Sequence, residues 1–174
     1  MLKRINKLLC HTRVNVMIIR GIEEKDINDI LSLIRAKADF DGCLGSLESK
    51  EPEIQKAFFS SIPNAKAIVA VVEDEIIGIA TYYSIYSTFI AKPGIWLDDL
   101  FVYKEHRKTG AGKELMKRLC NLAIETGCGR IDWIVARDNK NGRDFYESIG
   151  AQIFEEVRHS RLDETAIFKL SSNA

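Results

Sequence analysis

Short apolar blocks alternate along the chain with longer stretches whose apolar residues recur at helical spacing. Residues 14–21 (VNVMIIRG) read as a first strand. Glu23, Glu24 and Asp26 then place acids in the first turn of a helix, where the positive dipole end favours them. Ile27, Ile30, Leu31 and Ile34 repeat every three or four residues, and this helix fades near Phe40, Asp41 and Gly42. Residues 51–60 form a weaker helix with Pro52 near its start. Residues 67–73 (AIVAVVE) and 76–85 (IIGIATYYSI) read as a hairpin turning at Asp74. After a loop over 86–94 comes a strand at 95–102 (IWLDDLFV). A long helix at 114–126 follows, with Leu115, Leu119, Leu122 and Ala123 as its apolar stripe and Gly127 as its stop. Residues 130–136 read as a strand and 141–149 as a short helix. Residues 152–157 and 166–170 read as two closing antiparallel strands. This order predicts an α+β fold with one central twisted, mostly antiparallel mixed sheet flanked by helices. No repeat or Pro/Gly/Ser-rich linker interrupts it, so 16–174 read as one domain and 1–15 as an N-terminal extension.

Composition narrows the function classes. Lys plus Arg (25) equals Asp plus Glu (25) in 174 residues, which gives no basic footprint for nucleic acid. No apolar run approaches the roughly 20 residues of a membrane span. The patch at Leu8, Leu9 and Cys10 is too short for a signal-peptide core. Four cysteines without a CxxC pair fit free thiols in a cytoplasmic protein. His11, His106 and His159 lack metal-ligand spacing, so no metal site is expected.

The candidate chemistry starts at residues 106–113 (HRKTGAGK), between the strand at 95–102 and the helix at 114–126. Glycines let a loop turn its N–H groups inward. A helix N-terminus adds unsatisfied donors and a positive dipole end. Together they suit a phosphate or pyrophosphate. A Walker A loop is excluded, because its glycines are spaced differently and Ser or Thr follows its Lys. A dinucleotide fingerprint is excluded too: Leu115 replaces the third small residue, and the loop comes after several strands.

Arg107-Lys108-Thr109-Gly110-Ala111-Gly112 fits the pattern Arg/Gln-x-x-Gly-x-Gly/Ala. Downstream lie Asn139 and the stretch Phe145-Tyr146-Glu147-Ser148-Ile149-Gly150-Ala151. With both signatures in this order, the chain resembles the GCN5-related N-acetyltransferase superfamily from about residue 16 to 170. Residues 37–42 (KADFDG), 87–89 (STF), 92–94 (KPG) and 96–102 (WLDDLFV) resemble its diamine (spermidine/spermine) branch. That branch usually has Glu-Asp where Asp98-Asp99 stand, glycine where Lys108 stands, and Asp/Glu-Trp-Asn where Arg137-Asp138-Asn139 stand.

The resemblance implies acetyl-CoA as cosubstrate, a small-molecule amine as acceptor and a homodimer. The Tyr82 to Tyr86 strand end offers aromatic surface for a dimer. The acetyl-CoA contacts would come from Arg107, Lys108, Thr109, Gly110, Ala111, Gly112, Lys113 and Asn139. A bulge in the strand would splay it from the strand at 130–136, leaving N–H groups of Leu100, Phe101 and Val102 for the thioester and pantetheine. Tyr146 would be the acid that protonates the leaving thiolate. An alkyl amine has a pKa of about 10.4, so it needs a carboxylate to take its proton, directly or through water. Asp98 and Asp99 are candidates. Adjacent strand residues point to opposite faces, so only one is expected to face the cleft, and the resemblance assigns Asp98. Phe40, Asp41, Asp98, Asp99 and Arg137 would line the acceptor cleft. The expected acceptor is a polyamine, a diamine or an amino-acid-like amine. A non-catalytic acetyl-CoA-binding module and a protein N-acetyltransferase are the alternatives.

Overall fold

A computed structural model describes residues 16–172. The N-terminal extension expected over 1–15 lies outside them. The described residues divide into two compact units, with the boundary between Asp132 and Trp133.

The first unit holds a five-stranded mixed sheet of order β1-β2-β3-β4-β5. Its strands are β1 (Ile18–Gly21), β2 (Lys66–Val72), β3 (Glu75–Ser87), β4 (Lys92–Val102) and β5 (Ile131–Asp132). The first four pair antiparallel, and β5 runs parallel to β4. The β2–β3 turn forces Glu73 and Asp74 to positive φ. The loop expected at 86–94 is shorter than foreseen, because β3 extends to Ser87 and β4 begins at Lys92. Gly78 permits the close approach of β3 and β4: a Cβ there would sit 2.9 Å from the Phe101 carbonyl oxygen.

Helix α1 (Ile27–Phe40) follows a reciprocal capping box between Glu23 and Asp26. Asp26 also takes both guanidinium nitrogens of Arg20, at 2.6 and 3.0 Å. Helix α2 (Glu51–Phe59) has Pro52 in its first turn. Ile30 and Leu33 of α1 and Ile54 of α2 bury against Ala67, Val69, Val71, Ile76, Ile79 and Phe101 of the sheet. Helix α3 (Ala111–Glu125) buries Ala111, Leu115, Met116, Leu119 and Ala123. Its residue Arg118 lies close enough to Tyr82 to oppose the rise in phenol pKa that burial causes.

The second unit contains α4 (Lys140–Ser148) and α5 (Glu164–Ser172). Here two expectations fail. The segment 152–157 is not a strand, and 166–170 belong to α5. Asp163 explains the helix: its carboxylate accepts from the Ala166 N–H at 2.8 Å, satisfying a first-turn donor. Ala166 and Leu170 share a face at i,i+4 spacing, so the short apolar run fits a helical period as well as an alternating one. The strand expected over 130–136 is also cut to Ile131–Asp132.

Candidate active site

The site is built around an irregularity in β4. Thr81 pairs with Asp99, but the next residue of β3, Tyr82, pairs with Leu97. Asp98 is therefore the extra residue of a β-bulge. The bulge overturns the expectation that Asp98 and Asp99 point to opposite faces. Thr81 and Tyr83 share a face, and each shares it with its cross-strand partner, Asp99 and Trp96 respectively. Asp98 is two residues from Trp96, so it joins them. Two carboxylates thus lie on one side of one strand. Tyr83 stacks on Trp96 at 6.3 Å between ring centroids. Burial, and after it the Asp98 carboxylate, push the Tyr83 phenol above its ordinary pKa.

Past the bulge the sheet opens. Among the described residues, β4 pairs with β5 only at Ile95 and Trp96, and no other strand takes that edge further along. The Tyr103 N–H reaches the Ile77 carbonyl at 3.0 Å. By alternation Phe101 also directs its backbone groups to β3, whereas Leu100 and Val102 direct theirs to the open edge. The expectation of an available N–H therefore fails for Phe101, whose backbone serves the ladder and whose ring serves the core.

The glycine loop follows β4. Lys108 (φ 65°) and Gly110 (φ 96°) take left-handed backbone conformations. The Thr109 hydroxyl donates to the His106 carbonyl at 2.7 Å and tightens the turn. Gly110 occupies the N-cap of α3, and the first helical donor to find an acceptor is Glu114, on the Gly110 carbonyl at 3.0 Å. The N–H groups of residues 108–113 find no backbone acceptor among the described residues. Apart from its chain neighbours, no atom of the described residues lies within 4 Å of where a Gly110 Cβ would stand. A row of unsatisfied donors, an open approach and a 15-residue helix dipole fit a pyrophosphate.

Arg107, expected as a charge beside the phosphates, also makes contacts within the protein. Its Nε donates to the Val102 carbonyl at 3.0 Å, and its guanidinium lies 4.6 Å over the Phe40 ring and 5.5 Å over Phe101. It fastens the loop to the end of β4 and to α1 by cation–π contact. Phe40 thereby reaches the site as a stacking partner.

Asp41 and Asp99 converge on a residue not expected in the site, Lys37. Lys37 Nζ bonds Asp41 and lies 3.6 Å from Asp99. Asp99 also accepts from the Thr81 hydroxyl at 3.1 Å, and that oxygen accepts in turn from the Asp99 N–H. Two signals for this cluster were in the sequence. Lys37 stands four residues before Asp41, the spacing of a helical ion pair, and Thr81 is a polar residue within an apolar strand. What the pattern could not show was that β4 brings Asp99 to the same lysine.

The remaining expected residues belong to the second unit. Asn139 caps α4, its Oδ1 accepting from the Gly142 N–H at 3.0 Å. Tyr146 lies within α4, its ring 4.8 Å from Trp133 and 5.3 Å from Phe145. Arg137 is exposed and lies 3.7 Å from Glu155, which also binds Arg143. No cluster of metal-ligating side chains occurs among the described residues.

A model of the acetyltransferase (GNAT) family matches residues 33–151. The chain belongs to this family. The L-ornithine N5-acetyltransferase of Arabidopsis thaliana is 38% identical over 90 residues, which are 52% of this chain and 40% of the plant enzyme. The thialysine N-epsilon-acetyltransferase of Bos taurus is 28% identical over 149 residues, covering 81% of this chain and 87% of the bovine one. Among solved structures, an integron cassette protein of V. cholerae matches with a TM-score of 0.73 at 27% identity, covering 89% of this chain and 97% of its own. An aminoglycoside acetyltransferase from an uncultured soil sample matches at 0.74 and 23% identity, over 86% and 97% of the two chains, a likeness of fold.

Proposed function

We propose that this N-acetyltransferase moves the acetyl group of acetyl-CoA to a primary amine of a small molecule, by direct attack in a ternary complex. The observation that carries the reading is the donor row of residues 108–113 at the α3 N-terminus, following a strand bulged at Asp98. Relatives named for ornithine, thialysine and tyramine support a small alkyl amine as acceptor.

When bound, acetyl-CoA supplies an activated acetyl thioester. The N–H groups of residues 108–113 would hold its pyrophosphate, with Lys108 and Lys113 adding charge. Those of Leu100 and Val102 would meet the pantetheine arm and the developing carbonyl negative charge. Asn139 would contribute its amide nitrogen, because its oxygen is used by the α4 cap.

The residues divide the proton traffic. Asp98 is exposed at the bulge, and as the base it takes the amine proton, directly or through water. Asp99 is tied to Thr81 and Lys37, and its role is to shape the cleft. Tyr146 gives its phenol proton to the leaving thiolate. Residues 16–174 would serve as one acetyltransferase domain. A homodimer in the cytoplasm, without nucleic-acid or membrane partners, completes the reading. The balanced charge gives no basic footprint for nucleic acid, and no helix among the described residues is long and apolar enough to cross a membrane.

Thiol release from acetyl-CoA across a panel of amines tests the assignment. Acceptor-dependent release is expected. Calorimetric binding of acetyl-CoA with no release for any amine would mark a binding module instead, and release with peptide acceptors alone would mark a protein acetyltransferase.

A further inference from the structure

One cation on the α1 face of the sheet has no part in the reaction as derived. Lys37 sits in the last turn of α1, hydrogen bonded to Asp41 and 3.6 Å from Asp99, with 23% of its side chain exposed. Asp99 is held on its other side by Thr81, so its carboxylate cannot swing away without losing that bond. The three charged groups come from α1, its C-terminal end and β4, and Phe40 beside Asp41 carries the Arg107 guanidinium on its ring. The two carboxylates and one ammonium leave a single net negative charge within this trio.

We propose that Lys37 is a specificity-determining residue whose ammonium takes, from inside the protein, the place between Asp41 and Asp99 that the second ammonium of a diamine acceptor would occupy. The inference rests on reading this cleft as the amine-acceptor site, and it names the acceptor class: amines with one positive charge over polycations. The physical reason is competition. A tethered ammonium acts at a high effective concentration, so a diamine must displace it or leave its own second charge without a counterion. Lys37 does not yield by losing its proton. Burial opposes its charge, but the bond to Asp41 and the charges of Asp99 and Asp41 outweigh burial and hold its pKa above the ordinary lysine range. With Lys37 neutralised, two half-exposed carboxylates would face the cleft uncompensated, and a second ammonium would gain the pair that Lys37 now holds.

The test compares 1,4-diaminobutane with 4-aminobutanol, which share chain length and differ by one charge. Lys37→Met preserves the bulk of the stem, Lys37→Arg preserves the charge, and Lys37→Gln is a second neutral variant should the methionine form fold poorly. Calorimetric binding of 1,4-diaminobutane to the full chain should tighten about 10-fold in the neutral variants at low salt and stay within about two-fold in Lys37→Arg. The ratio of kcat/KM for diamine over amino alcohol should rise by a similar factor. General structural damage would lower both acceptors alike and leave that ratio in place. An unchanged diamine affinity and ratio in the neutral variants would overturn the proposal. If binding shifts as expected but no variant, wild type included, releases CoA with either amine, the Lys37 inference stands and the transferase reading fails.

Discussion

At the residue scale, the proposed chemistry is divided between a carboxylate and a phenol. Tyr146→Phe is expected to keep acetyl-CoA affinity and to lower kcat by roughly 10²-fold or more, read by stopped-time thiol release. Equal turnover in the two forms would remove Tyr146 from the reaction. Another residue sets acid sensitivity. Hydrogen bonds from Arg20 first, and from the Glu23 backbone after the opposing effect of burial, hold the Asp26 carboxyl below its ordinary value of 3.8. A depressed carboxylate pKa adds stability above the unfolded value that is lost as pH falls through the folded one. Asp26→Asn should therefore cost about 2 kcal/mol near neutrality, and the gap to wild type in chemical denaturation should close below about pH 4. A gap that persists unchanged at low pH would mean that the pair is not the cause. Single residues were unevenly legible. Gly110 and Gly112 stood out as the glycines of the loop, and Gly110 makes the left-handed turn into α3. Lys37 did not, because its partner Asp99 lies far away in sequence and only strand pairing brings the two together.

At the element scale, the bulge of β4 and the cap of α3 do most to shape the site. Gly110 at φ 96° accepts another residue only with backbone strain. Gly110→Val should lower stability by about 1–3 kcal/mol and weaken acetyl-CoA binding by about 10-fold, measured by calorimetry, because the strain falls on the donor row. Undiminished binding would show that the loop is not the pyrophosphate seat. Asn139→Ala removes the α4 cap and should cost about 1 kcal/mol by chemical denaturation. No change would mean that the cap carries no net stability. Elements with a strong period were legible in the sequence, among them α1, α3 and the β2–β3 hairpin. The bulge was foreseen only by resemblance, since its register shift is a property of two strands together and not of one. The closing segments were misread because an apolar run of about five residues fits either period, and the deciding feature, the Asp163 cap, lies outside the run.

At the scale of the whole molecule, the fold sets a glycine-loop helix after a strand whose outer edge is released halfway along its length. That edge and the loop's unsatisfied donors suit an extended, phosphorylated thioester, and the carboxylates of β4 suit an amine. The most direct test is mass-spectrometric analysis of the full-length chain incubated with acetyl-CoA and a mixture of small primary amines, ornithine, 1,4-diaminobutane and tyramine among them. The expected result is a singly acetylated amine formed in equal amount to the CoA released, at a rate that collapses in Tyr146→Phe. Stoichiometric CoA release without an acetylated amine, or no release at all from a folded protein that binds acetyl-CoA, would contradict the assignment.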